Sequence, residues 1–204
     1  MARLARLTEQ GFIETVQTGI EMASLLPPDD ATRLRKELRS LGVSVFVVKT
    51  VREGMRYDTP RLVVEAGKPF EIIFENADFM PHNLLVVKPD TREKVGLEAA
   101  NMKPEELDSE GRAYVPRNSD ILAASKLLQP GQRQSLRLTA PSSEGDHEYV
   151  CTFPGHYQVM WGRLVVTKDV EAYLQTHPEA PLPTPSPTAL SEDGTGGAAH
   201  AHTH

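Results

Sequence analysis

With 204 residues, 39% of them hydrophobic and 25% charged, the chain has room for one good-sized domain plus extensions and an ordinary globular balance. The net charge of −6 is uneven: residues 1–40 carry six bases and six acids, 41–169 sixteen and eighteen, and 170–204 four acids and no base. No basic stripe marks a nucleic-acid binder, no run reaches the roughly 18 consecutive apolar residues of a membrane span, and a single cysteine, Cys151, excludes an internal disulfide.

Residues 1–40 are expected to form a helical extension. Phe12, Val16 and Ile20 recur four apart, with Ile13 beside them, on one apolar face. Pro27-Pro28 ends that stretch, Asp30 suits an N-cap for a second helix to Ser40, and Gly42 suits its C-terminal stop. Met1-Ala2-Arg3 is mildly basic, but neither an apolar stretch nor a small-residue cleavage site follows it. A mature chain, or a piece of a longer one, is preferred to a cytoplasmic protein.

From residue 41 the pattern turns to strands. Residues 43–48 are rich in β-branched side chains, and 61–65 follow, with a turn over 66–69. Phe70, Ile72 and Phe74 alternate with Glu71 and Glu75, as in a half-buried strand. Further strands are expected over 82–87, 134–140, 147–151 and 162–167. Between Lys88 and Pro130 lies a long insertion, with a short helix around 97–101 and a second segment around 121–128. Many short strands punctuated by Gly and Pro predict an all-β, Greek-key β-sandwich over 41–169. A short helix over 170–176 and a Pro/Gly-rich tail over 177–204 complete the chain. The tail alternates Pro with small residues from Pro181 to Pro187 and ends on His200, His202 and His204, a composition expected to stay disordered.

The chemistry is concentrated in Cys151-Thr152-Phe153-Pro154-Gly155-His156-Tyr157-Gln158-Val159-Met160. Cys151 ends a strand, Pro154-Gly155 enforces a reversal, and His156 and Met160 fold back toward the sulfur. A second imidazole comes from Phe79-Met80-Pro81-His82-Asn83. A trigonal set of two imidazoles and a thiolate with a weak axial thioether is the arrangement of mononuclear blue (type 1) copper sites that transfer electrons. His82, Cys151, His156 and Met160 are therefore the expected metal ligands; Asn83 can hydrogen-bond to the Cys151 loop, and the Pro81 carbonyl either makes a further weak axial contact or stays off the metal. Zinc accepts the same His and Cys donors, but a thioether favours copper. A nucleophilic Cys–His pair would prefer a helix N-terminus to a strand end. His147 shares strand parity with Cys151 but lies about 13 Å away, so a solvated strand end is expected. Phe79 and Trp161 read as packing residues, and Met80, Pro154, Tyr157 and Val159 as the rim of an exposed His156 edge.

Both ligand segments resemble azurin, within the plastocyanin/azurin group of cupredoxins, and the strand pattern from about Val43 to Lys168 is compatible with it. The resemblance places the copper ligands on His82, Cys151, His156 and Met160 and the loop-bridging asparagine on Asn83. It departs at Pro81, where azurins usually have Gly, and in lacking the azurin disulfide. The helical lead-in is similar to that of copper domains at the C-terminal end of large exported bacterial redox proteins, some of which carry c-type haem. The resemblance implies an electron carrier rather than an enzyme, in a periplasmic or other extracytoplasmic location. Its partner would be a redox protein such as a c-type cytochrome, and no small-molecule substrate is expected. Copper trafficking or storage, with the histidine tail collecting metal, is the alternative. One cysteine excludes a binuclear copper centre, and a multicopper oxidase or nitrite reductase would need further ligands.

Overall fold

The computed structural model describes residues 44–178. The helices expected over residues 1–40, and the tail beyond residue 178 with its three histidines, lie outside the described residues. Among the described residues no helix is long and apolar enough to cross a membrane.

Eight strands and two helices follow one another as β1 (Ser44–Lys49), β2 (Arg61–Glu65), β3 (Pro69–Glu75), β4 (Leu85–Val87), α1 (Arg92–Ala100), β5 (Ile121–Ala124), β6 (Arg133–Thr139), β7 (Gly145–Val150), β8 (Trp161–Thr167) and α2 (Val170–Thr176). They build two sheets, ordered β1-β3-β6 and β2-β8-β7-β4-β5. The expected sandwich is present. β1 runs parallel to β3 and β2 parallel to β8, whereas the β3–β6, β4–β5, β4–β7 and β7–β8 pairs are antiparallel.

The core follows from strand alternation. Val48, Phe70, Ile72, Phe74 and Leu136 of the three-stranded sheet share one buried cluster with Leu62, Val64, Val86, Tyr149, Leu164 and Val166 of the five-stranded sheet. Each large apolar side chain removed from water contributes about 1.5–3 kcal/mol. A second cluster places Val95 of α1 with Leu85, Val87 and Val150, so β4 is buried on both faces. α2, capped by the Asp169 carboxylate accepting the Ala172 N–H, joins Val170 to Val63 and Val165.

Several expectations need correction. The helix in the insertion begins at Arg92 rather than near Leu97, while the second segment, expected around 121–128 without a type, contains a strand over Ile121–Ala124. Only Leu85–Val87 of the expected strand 82–87 is regular; His82 makes an isolated bridge to Leu128. Glu71, expected to face water, is buried, because it accepts a hydrogen bond from Ser135 and lies 3.8 Å from Arg137 on the neighbouring β6. His147 is also buried rather than solvated. β7 lies between β4 and β8, so its inward face is closed to water, and burial lowers the imidazole's pKa.

Candidate metal centre

Strand register brings the two expected ligand segments to one end of the sandwich. β4 and β7 are antiparallel with Leu85 opposite Val150, so the residues before β4 lie beside those after β7. The ten residues from Cys151 to Met160 link β7 to its neighbour β8, and the Cys151 N–H donates to the Met160 carbonyl at 3.0 Å across the base of the loop. Within it, the His156 N–H donates to the Phe153 carbonyl at 3.0 Å. Gly155 takes φ +86°, as the third position of a Pro-Gly type II turn requires. The Met160 N–H then donates to the His156 carbonyl at 2.8 Å, one helical turn on.

This folding gathers His82, Cys151 and His156, all buried, with their donor atoms within 4.8 Å of one another. Cys151 Sγ lies 3.5 Å from His156 Nδ1 and 3.7 Å from His82 Nδ1. A metal bound at about 2.3 Å from sulfur and about 2.0 Å from nitrogen, with trigonal angles, requires S···N separations of about 3.7 Å. The donor set therefore fits one copper ion. The two imidazole rings lie 5.0 Å apart, and Phe153 packs edge-on against His156 at 5.0 Å. Met160 is fully buried beside Cys151 in the core.

Electrostatics at the site follow from this enclosure. Burial pushes the Cys151 thiol up to about 12. At neutral pH a thiolate can exist there only with a cation beside it, so metal binding must release a proton. Burial, followed by the His82 charge, lowers the pKa of His156. His82 is held differently: its Nε2 lies 3.0 Å from Asp78 Oδ2. Burial alone would raise the Asp78 carboxyl, but the N–H groups of Glu53 and Phe79, and then His82, hold it below the ordinary carboxylate range.

Asn83 joins the two ligand segments as expected. Its Oδ1 accepts the Thr152 N–H at 2.7 Å and its Nδ2 donates to Thr152 Oγ1 at 2.8 Å. The Thr152 hydroxyl passes on to the Tyr114 carbonyl at 2.6 Å, and the Tyr57 hydroxyl donates to the Asn83 carbonyl at 2.7 Å. Asp78, Tyr57 and Tyr114 are absent from the sequence-derived site. Thr152 alone was named there, as part of the Cys151 loop that Asn83 was expected to hold.

The rim differs from expectation. Phe79 and Trp161, expected to pack, are 52% and 38% exposed. Each instead lies under a guanidinium, with Arg52 4.0 Å from the Phe79 ring centre and Arg92 4.6 Å from that of Trp161. Met80, Pro154 and Val159 are exposed as expected, but Tyr157 is half-buried against Gly96 of α1, and His156, whose edge was expected to be exposed, keeps only 3% exposure.

A profile described as copper binding proteins of the plastocyanin/azurin family matches residues 44–167. Auracyanin-A of Chloroflexus aurantiacus is 36% identical over 118 residues, covering 56% of this chain and 68% of that protein. Outer membrane protein H.8 of Neisseria gonorrhoeae is 30% identical over 125 residues, again 56% of this chain, and the match spans 63% of that protein, under two thirds of its length. Among solved structures, auracyanin A of Chloroflexus aurantiacus, described as a "blue" copper protein, superposes with a TM-score of 0.55 at 30% identity, covering 62% of this chain and all of that one. Family profile, sandwich and buried His-Cys-His cluster agree: the chain belongs to the plastocyanin/azurin family of copper binding proteins.

Proposed function

We propose that the domain transfers single electrons through one type 1 copper ion held by His82, Cys151 and His156, with Met160 as axial ligand. The observation that carries this reading is the buried triad with S···N separations of 3.5 and 3.7 Å. Copper bound there supplies a one-electron Cu(I)/Cu(II) couple. The chain's residues fix the geometry: Asn83 ties the two ligand segments together, and the Phe153–His156 turn aims the second imidazole. Enclosure of the donors leaves no opening for a substrate, which favours an electron carrier, or the carrier domain of a larger redox protein, over an enzyme. The same enclosure disfavours rapid copper hand-over, and with it a trafficking role. By family resemblance the domain, proposed to span residues 41–169, works outside the cytoplasm and exchanges electrons with a protein such as a c-type cytochrome.

Adding Cu(II) should produce an intense visible thiolate-to-copper charge-transfer band, and Cys151→Ser should abolish it while the β-sheet circular dichroism persists. A Cys151→Ser protein that stays blue would overturn the ligand assignment. Fast reversible electron exchange with a cytochrome supports the carrier role; rapid copper loss to a chelator without such exchange supports trafficking.

A further inference from the structure

The two imidazoles of the site are held unequally. Asp78 and His82 form a pair closed to solvent, with side-chain exposures of 4% and 0%. The Asp78 carboxylate is saturated. Its Oδ1 accepts the N–H of Glu53 at 3.0 Å and of Phe79 at 2.8 Å, and its Oδ2 faces His82 Nε2 at 3.0 Å. The Asp78 N–H donates to both Thr50 Oγ1 and Asn76 Oδ1 at 3.0 Å. Asn76 in turn donates to the carbonyls of Met80 and Leu128, fixing the loop that leads to His82. Among the described residues nothing comparable holds His156 Nε2.

We propose that Asp78 is the positioning residue for His82 and that its buried carboxylate lowers the reduction potential of the copper site. The proposal rests on the copper reading above. An ionised carboxylate can only accept hydrogen bonds, so His82 Nε2 must carry the proton in the 3.0 Å contact. That leaves Nδ1, which faces the Cys151 sulfur 3.7 Å away, as the nitrogen free to give up its proton and bind a metal. A fixed negative charge behind the ring, weakly screened in the interior, favours the more positive oxidation state.

Asparagine at this position makes a stringent test, because it offers one acceptor oxygen where the structure uses two. If its oxygen serves the Glu53 and Phe79 N–H groups, its amide N–H faces the His82 N–H. In the copper-free wild type, nitrogen NMR should show His82 protonated on Nε2, and Asp78→Asn should lose that preference. In the copper-loaded protein, Asp78→Asn should weaken Cu(II) binding about tenfold more than Cu(I) binding, raising the potential by about 59 mV. Asp78→Glu keeps the charge and should return most of the shift. Thr50→Val removes a support of the same loop but keeps the carboxylate, and should leave the potential near wild type.

A wild-type His82 that carries no proton on Nε2 overturns the proposal without any variant. So does an Asp78→Asn protein of unchanged potential and tautomer, or a Thr50→Val shift as large as that of Asp78→Asn. A wild type with no blue band on Cu(II) sinks the copper reading instead, and the copper-free NMR result still decides the Asp78–His82 pairing.

Discussion

Met160 follows His156 by one helical turn, so the thioether and the second imidazole ride on the same short piece of backbone. Cys151 and Met160 are linked at the base of that loop, and both are fully buried. In the proposed copper site the two sulfurs have different tasks. The thiolate supplies the strong bond, whereas an axial thioether bond is long and weak and mainly sets the potential. Met160→Leu conserves volume and should cost less than about 1.5 kcal/mol in stability. The variant is expected to bind copper and remain blue while its reduction potential moves upward, measured by protein-film voltammetry. Complete loss of copper binding would count against Met160 as the axial ligand.

At the scale of elements, α1 is bolted to the ligand loop. Arg92 donates to the Tyr157 carbonyl at 2.8 Å and to Glu148 on β7 at 3.0 Å, and it covers the Trp161 ring. One turn on, Gly96 sits against Tyr157, where a Cβ would overlap the base of the aromatic ring. Gly96→Val should therefore push α1 off the loop at a cost of about 1–3 kcal/mol. Thermal melting should show the destabilisation, with a broadened charge-transfer band as His156 is loosened; an unchanged melting curve would show the contact to be slack. This helix also shows where sequence reading stops. Cys151, Pro154, Gly155 and His156 were legible because turn chemistry and donor spacing lie within six residues. His82-Asn83 was legible as a motif. The start of α1 at Arg92 was not, because Arg92 is held by Tyr157 and Glu148, residues more than fifty positions away. Glu71 reads as a surface acid until Ser135 and Arg137 are seen beside it, and His147 as a strand-end polar residue until β7 is known to be internal. Phe79 and Trp161 fail in the opposite sense: aromatic residues next to ligands suggest core, but both lie outside under arginines.

On the scale of the whole molecule, the metal end carries an uneven surface. Met80, Phe79, Pro154 and Val159, on the two segments that carry His82 and His156, expose apolar area, while residues 41–169 as a whole are close to neutral. Small apolar patches suit the low-area, short-lived contacts of redox encounters, and a near-neutral domain implies weak long-range steering. Val159, 55% exposed, can accept a charge without disturbing the core. Val159→Glu should slow electron exchange severalfold while leaving the visible spectrum unchanged. Lys68→Glu is a suitable control, since Lys68 precedes β3 at its far end, about 25 Å along the chain from Asn76. Stopped-flow rates with a cytochrome would make the comparison; equal slowing by both variants, or none by Val159→Glu, would place the exchange elsewhere on the surface.

The parallel pairing of β2 with β8 also governs the order in which the molecule can be made. Arg61 is registered against Arg163, about a hundred residues later, and among the described residues β2 lies at the margin of its sheet with β8 as its one neighbour. During synthesis β2 therefore emerges early and has no partner until the last strand follows. The β7–β8 hairpin that carries Cys151, His156 and Met160 closes over a short span, at small entropic cost. Joining it to β2 closes nearly the whole domain and belongs to the slow, non-local class of steps. Until then Leu62, Val63 and Val64 form an apolar strand with a bare edge, the kind of segment that recruits neighbouring chains when left waiting. The copper loop can thus be complete in sequence and locally folded while the sandwich that must enclose it is still open.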